Sequence, residues 1–167
     1  MAELRMRRRH RLRQKEISAL ASAINASMGT ETFTENATVD RAEGPGYDVI
    51  FVDGSLLAMV VEGEPFLTIR GILRYGASKR YVTVDMGAVK FIANGADVMG
   101  PGILEAEDSV AEGALAWIRD EKNKRPLAIG RSLASARDLR GKPRGKGVLS
   151  LHHVGDKLWS LEEEGQP

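Results

Sequence analysis

Apolar residues recur at helical spacing in one early segment of the chain. They lie three or four positions apart from Ile17 to Met28, which predicts an amphipathic helix over residues 13–28. Gly29 follows directly and suits the C-terminal end of a helix, because glycine readily adopts the left-handed backbone conformation found there.

Three apolar runs of strand length come next, at residues 47–52, 56–61 and 66–69. Asp53-Gly54 forms a turn dipeptide between the first two runs. Their high apolar content is typical of buried strands. The helix and these strands together predict a small domain with a helix and an antiparallel sheet over residues 1–75.

The second half of the chain has shorter apolar runs separated by glycines. Asp85 is placed to cap a short helix that continues through Ile92. The strand candidates are residues 82–84, 109–111, 114–118, 127–129, 148–153 and 158–161, with a further helix over 132–139. This pattern predicts a small β-barrel over residues 76–167. Its core candidates are Val84, Phe91, Ile92, Ile103, Trp117, Ile118, Ile129 and Leu149.

Composition narrows the class of protein. The 167 residues include 24 Lys and Arg and 23 Asp and Glu, and this balance excludes a wholly basic strand-coating protein. The charges are nevertheless segregated: residues 5–15 and 119–146 are basic, whereas residues 31–64 are acidic. No apolar run has the ~20 residues of a membrane helix, so no membrane partner is expected. Cysteine is absent, which fits a reducing cytoplasm.

The sequence shows no catalytic constellation. The acidic segment contains neither His nor Lys, and Ser55 has no base beside it. His152 and His153 are adjacent in a predicted strand, so they point to opposite faces and cannot form a simple two-ligand metal site. We therefore predict no enzyme activity, no metal and no cofactor.

The run from Val82 to Ile103 contains Gly95-Ala96-Asp97-Val98-Met99 followed by Gly100-Pro101-Gly102. It resembles the opening of a PUA domain, and residues 147–153 and 156–159 resemble the closing strands of that domain. PUA domains occur in pseudouridine synthases and archaeosine transglycosylases and bind RNA. The resemblance covers residues 80–161 and implies an RNA-binding module.

The whole chain is similar to the malignant T-cell-amplified family, in which a small pre-PUA domain precedes the PUA domain. Residues 8–16 are similar to the start of that family. The resemblance implies an α+β protein: a pre-PUA domain at residues 1–75 and a PUA β-barrel at residues 76–167. It also implies action in translation, with ribosomal RNA or tRNA and small ribosomal subunit proteins as partners.

The glycine-rich run also has a physical interpretation. Gly95, Gly100 and Gly102 permit positive φ and leave the backbone uncovered, so that N–H groups could approach phosphate. Nearby lysines and arginines could supply phosphate charges. The predicted RNA-binding residues are Lys90, Gly95, Ala96, Asp97, Val98, Met99, Gly100, Pro101, Gly102, Lys142, Arg144 and Lys146. The opposing interpretation is that these glycines only make tight connections.

Two other functions remain open at this point. The chain could be an accessory subunit that delivers tRNA to a separate modification enzyme. It could also be a protein-docking module in which the acidic face of the first domain binds a basic ribosomal protein.

Overall fold

The computed structural model describes residues 6–164. It divides the chain into two compact units, each of which combines helices with a sheet. The first unit comprises the described residues up to Ala77 together with those from Lys157 onward. The second unit is Ser78–Asp156.

The first unit is built on a five-stranded antiparallel sheet in the order β1-β2-β3-β4-β5. Its strands are β1 (Arg7–Arg11), β2 (Val39–Glu43), β3 (Asp48–Val52), β4 (Ser55–Val61) and β5 (Glu64–Leu67). Its helices are α1 (Gln14–Met28), α2 (Ile69–Tyr75) and α5 (Lys157–Glu164). The sheet therefore follows chain order, and only α5 comes from a distant part of the sequence.

Helix α1 confirms the predicted amphipathic helix. Its buried positions are Ile17, Ala21, Ile24 and Met28, which share one face at the spacing that the sequence shows. The helix ends where Gly29 adopts a left-handed conformation at φ 62° and donates its N–H to Asn25.

Several predicted elements of this unit need correction. Strands β1 and β2 were not predicted, and the third predicted strand ends at Leu67 because α2 begins at Ile69. Residues 158–161 form part of helix α5 and not a strand. Leu158 is buried in the first unit against Ala42, Val49 and Leu56. Helix α5 thus lies with the first unit and not with the second, where the sequence analysis placed it.

The second unit is built on a six-stranded mixed sheet in the order β7-β11-β10-β9-β6-β8. Its strands are β6 (Tyr81–Val84), β7 (Val98–Met99), β8 (Ile103–Ala106), β9 (Leu115–Asp120), β10 (Pro126–Ser132) and β11 (Lys146–His153). Strands β6 and β9 run parallel, and the other pairs are antiparallel. Because β7 and β8 are the sheet edges, this pairing does not close the predicted barrel.

Two helices accompany this sheet, α3 (Met86–Ala93) and α4 (Ala136–Arg140). Strands β7 and β8 were not predicted, and the strand predicted at residues 109–111 is a turn region. The helix predicted from residue 132 begins only at Ala136, because Ser132 belongs to β10.

The core of the second unit joins both helices to the sheet, with Ile92 from α3 and Leu139 from α4 among its buried residues. Most of the predicted core residues are buried, although Leu149 is only half-buried. Phe91 is the main exception, because 65% of its surface is exposed. None of the helices described within residues 6–164 is both long and apolar enough to cross a membrane.

Candidate nucleic-acid interface

Helix α3 and the glycine-rich run that follows it form one continuous structural feature. Asp85 caps the helix as predicted, since its Oδ1 accepts the N–H of Ala88 at 2.9 Å. The helix ends at Ala93, and Gly95 turns the chain with φ +98°. The chain then enters the short strand β7 and a 3₁₀ turn at Gly100–Gly102.

The glycine-rich run and the basic segment 142–146 lie directly against each other. The N–H of Gly100 donates to the carbonyl oxygen of Gly145 at 2.8 Å, and Met99 pairs with Lys146 across β7 and β11. A β carbon at Gly100 would lie 1.7 Å from the carbonyl oxygen of Pro143, so only glycine fits there. The fold therefore brings together the glycine-rich run and the basic segment, two groups of predicted RNA-binding residues.

Three backbone N–H groups of the glycine-rich run are engaged in hydrogen bonds within the protein. The N–H of Gly95 donates to Ile92, that of Ala96 donates to Phe91, and that of Gly100 is used as described above. Of the three glycines, only Gly95 has positive φ. A β carbon at Gly95 would meet Nε2 of His153 at 2.9 Å, so this position faces the half-buried His153 ring. Gly95 and Gly100 therefore each form a tight connection within the fold.

The surface beside this run contains a groove of about 450 Å³ between α3, β7 and β11. Its walls are mainly apolar and include the exposed side chains of Phe91 and Met99, which are 65% and 49% exposed. The full lining is Ala88, Phe91, Ile92, Ala96, Asp97, Met99, Gly102 and Lys146. Large apolar side chains exposed together in a groove are a common mark of a binding surface.

One ion pair lines the groove. Nζ of Lys146 lies 3.0 Å from Oδ2 of Asp97, and Oδ1 of Asp97 accepts the backbone N–H of Ser150 at 2.8 Å. The Ser150 hydrogen bond and Lys146 hold the pKa of Asp97 below its ordinary value, which outweighs the opposing effect of partial burial. Asp97 is thus a fixed, ionised acceptor on the groove wall, and Lys146 is paired with it.

The predicted site residues are distributed unevenly around this groove. Ala96, Asp97, Met99, Gly102 and Lys146 line it. Val98 and Gly100 are buried, whereas Pro101 is exposed.

Lys90, Lys142 and Arg144 are exposed cations that do not line the groove. They have no ion-pair partner in the part of the chain that the structure describes. Their charges remain available to an anionic partner.

Sequence reasoning missed Phe91 and Ala88 as groove residues. Phe91 was assigned to the core because it is apolar, but on α3 it lies about 100° around the helix from buried Ile92. It also follows exposed Lys90 directly. The charged residue Lys90 directly before it is the sequence signal that could have indicated its exposure.

The basic N-terminal block has its own partners within the first unit. All five residues of β1 are exposed, and Asp40 of β2 bonds both Arg9 and Arg11. Arg8 lies 3.5 Å from Glu43, and the guanidinium of Arg9 lies over the ring of Phe51. Acidic groups of β2 therefore offset much of the charge of β1.

Comparison with known proteins adds to this geometry. The PUA domain profile matches residues 80–154. Translation machinery-associated protein 20 of Eremothecium gossypii is 32% identical over 100 residues, 56% of this chain and 55% of that protein. Human malignant T-cell-amplified sequence 2 is 28% identical over 119 residues, 69% of this chain and 66% of that protein. The chain thus matches roughly half to two-thirds of the length of these relatives.

A crystal structure of a hypothetical protein from Pyrococcus horikoshii has a similar fold. It superimposes with a TM-score of 0.81 and 30% identity, and the match covers 93% of this chain and 99% of the other. The likeness therefore extends over both units of the chain.

Proposed function

Because this chain belongs to the PUA-domain family, we propose that it is an RNA-binding protein that acts in translation by contacting the small ribosomal subunit or tRNA through its second unit. The observation that carries the proposal is the groove of Phe91, Met99, Asp97 and Lys146, which lies within the residues that match the PUA domain profile. The names of the relatives, which include translation machinery-associated proteins, support the cellular process.

Charge supports an anionic partner for this surface. Lys90 precedes Phe91 on α3, and Lys142 and Arg144 flank Pro143, whose backbone packs on Gly100. These side chains can neutralise phosphates while the groove contacts a less polar part of the RNA. The role proposed is binding, without catalysis or a cofactor.

The proposal assigns distinct roles to the two parts of the chain. The first, up to about residue 75, corresponds to a pre-PUA domain, and the region from about residue 76 corresponds to a PUA domain. Ribosomal proteins of the small subunit are candidate partners of the first part, and the cytoplasm is the expected compartment.

The salt dependence of RNA binding tests the proposal. Lys90→Ala and Arg144→Ala should each weaken binding to structured RNA and reduce the slope of log K against log salt by about one unit. Lys122→Ala is the control, because Lys122 is exposed in the β9–β10 turn. A slope near zero in the wild-type protein, or equal effects of all three variants, would contradict phosphate contact by this surface.

Co-sedimentation separates the two proposed RNA partners. Binding to purified small ribosomal subunits that survives competition by free tRNA supports the ribosomal site. Binding to tRNA alone would support delivery of tRNA to another protein. Association with subunits that persists after nuclease treatment of the RNA would instead point to protein docking and contradict the proposal.

A further inference from the structure

We propose that the groove holds one unpaired base of the bound RNA against Phe91, and that Asp97 selects bases that carry an amino group over uracil. This inference rests on the function proposed above. It names the part of the RNA that enters the groove and the residue that discriminates among bases.

The groove does not suit a phosphate. Its one cation, Lys146, is already paired with Asp97 at 3.0 Å, and the Asp97 carboxylate would repel a second anion. The N–H groups of Gly95, Ala96 and Gly100 are used inside the protein. Phosphates are therefore expected outside the groove, at Lys90, Lys142 and Arg144.

The groove does suit a flat, weakly polar group. The Phe91 ring is 65% exposed on α3, and Met99 is 49% exposed on β7. Aromatic side chains in this setting stack on the faces of bases, and every base offers such a face. Bases inside a duplex are already stacked on both sides, so a base that reaches Phe91 must be unpaired.

Asp97 is held in place for recognition of a base edge. Oδ1 is fixed by Ser150 N–H at 2.8 Å and Oδ2 by Lys146, which leaves further lone pairs on both oxygens. An ionised carboxylate only accepts hydrogen bonds, so it favours the amino groups of cytosine, adenine and guanine. Uracil offers a single N–H flanked by two carbonyl oxygens, which the carboxylate repels.

The first test compares short single-stranded oligonucleotides of equal length composed only of C, A or U, with a duplex of the same length. Affinity is measured by fluorescence anisotropy at one fixed salt concentration. The C and A strands should bind about tenfold more tightly than the U strand, since a matched base contact discriminates by that order. The duplex should bind more weakly than the C and A strands.

Variants at Phe91 test the occupant of the groove. Phe91→Ala should weaken binding of the C and A strands by about tenfold, the effect typical of a lost stacking partner. Phe91→Tyr should retain their affinity because it keeps the ring. Leu73→Ala is the matched control, since Leu73 is 57% exposed in the first unit. Circular dichroism establishes that each variant is folded.

Asp97→Asn tests the selection itself. Asparagine keeps an oxygen for the Ser150 N–H, so the fold should be retained, but it loses the charge and gains a donor. The ratio of C to U affinity should fall towards one. The slope of log K against log salt should become steeper by about one unit, because Lys146 is freed for a phosphate.

The outcomes distinguish this inference from the proposed function. Equal binding of C and U strands by the wild-type protein, or an unchanged ratio in Asp97→Asn, overturns the selection by Asp97. If Phe91→Ala binds single strands as tightly as the wild type while Lys90→Ala loses binding, no base occupies the groove. That result overturns this inference but leaves the proposed RNA binding intact. If Phe91→Ala loses ribosome association but keeps its affinity for RNA, the groove binds a protein. That result also overturns this inference. If no RNA binds at all, the proposed function itself fails.

Discussion

At the scale of single residues, Gly95 shows how one position can support the fold beside the groove. Its φ of +98° is unfavourable for residues with a side chain, and its missing β carbon leaves room for the His153 ring. The sequence correctly predicted a positive φ for Gly95. A side chain at this position would meet the His153 ring.

We predict that Gly95→Ala lowers the free energy of unfolding by about 1–3 kcal/mol through backbone strain and the contact with His153. Gly113→Ala is the control, since Gly113 has φ +83° but a β carbon there would have nothing within 4 Å. The difference between the two variants in urea denaturation measures the clash with His153 alone. Equal losses would show that His153 moves away at no cost.

Asp120 is a second residue with a defined role, at the end of β9. It is 4% exposed, and its carboxylate accepts the N–H groups of Asn123 at 2.6 Å and Arg125 at 3.1 Å. Burial alone would raise its pKa, but these backbone donors outweigh burial and lower the pKa below its ordinary value. The charged carboxylate therefore stabilises the turn between β9 and β10.

We predict that Asp120→Ala costs about 1–3 kcal/mol of stability at neutral pH, because two backbone N–H groups lose their acceptor. A carboxyl whose pKa is lowered by folding stabilises fully above its unfolded pKa, and this contribution is lost as pH falls through the folded value. The stability difference between wild type and Asp120→Ala should therefore shrink in acid. Denaturation at several pH values measures it, and a constant difference would contradict the charged role.

At the scale of elements, β1 depends on its neighbour more than on its own sequence. Its five residues are all exposed, and two of its arginines are held by Asp40. Burial would raise the pKa of Asp40, but hydrogen bonds from Arg11 and Arg9 lower it overall. The attachment of β1 to the sheet therefore includes a titratable link.

We predict that β1 loosens in acid. As pH falls through the lowered pKa of Asp40, the carboxyl is neutralised and the arginines of β1 repel one another without compensation. Amide exchange, corrected for its intrinsic pH dependence, should show less protection at the Arg11–Asp40 pairing in acid than at neutral pH. Asp40→Asn should show the lower protection at both pH values. If the amides at this pairing are equally protected at both pH values in the wild type, Asp40 does not provide a pH-dependent attachment of β1.

The elements also show what local sequence can predict. Helices α1 and α3 were predicted because their spacing, caps and terminal glycines are local signals. Strand β1 was not, since Arg7–Arg11 has no apolar alternation and becomes a strand only by pairing with β2. Helix α5 was misassigned as a strand because its apolar run is short, although the spacing of three between Leu158 and Leu161 fits a helix.

The candidate site likewise has features that the sequence predicted and features that only the structure shows. The resemblance in sequence identified residues 96–102 and Lys146 as parts of one surface, and five of these residues line the groove. It did not identify the Asp97–Lys146 ion pair, because that contact depends on the register between β7 and β11. The exposed face of Phe91 likewise depends on which side of α3 packs on the sheet.

At the scale of the whole molecule, the chain forms two units, and the first is completed by a helix from the far end of the described residues. Helix α5 follows Asp156 and belongs to the first unit. Leu158 is 1% exposed there, and the guanidinium of Arg70 on α2 lies 3.7 Å from the centre of the Trp159 ring. A fragment of residues 76–167 would therefore carry a helix whose packing partners are missing.

We predict that Leu158→Ala destabilises the first unit selectively, by about 2–5 kcal/mol, because it leaves a cavity among Ala42, Val49 and Leu56. Amide exchange reports on each unit separately: protection should fall in β2, β3 and β4 and remain unchanged in β9, β10 and β11. Ser160→Ala is the control, since Ser160 is exposed on the same helix. Equal loss of protection in both sheets would mean that the two units unfold as one, and RNA binding in the second would then depend on the C-terminal helix.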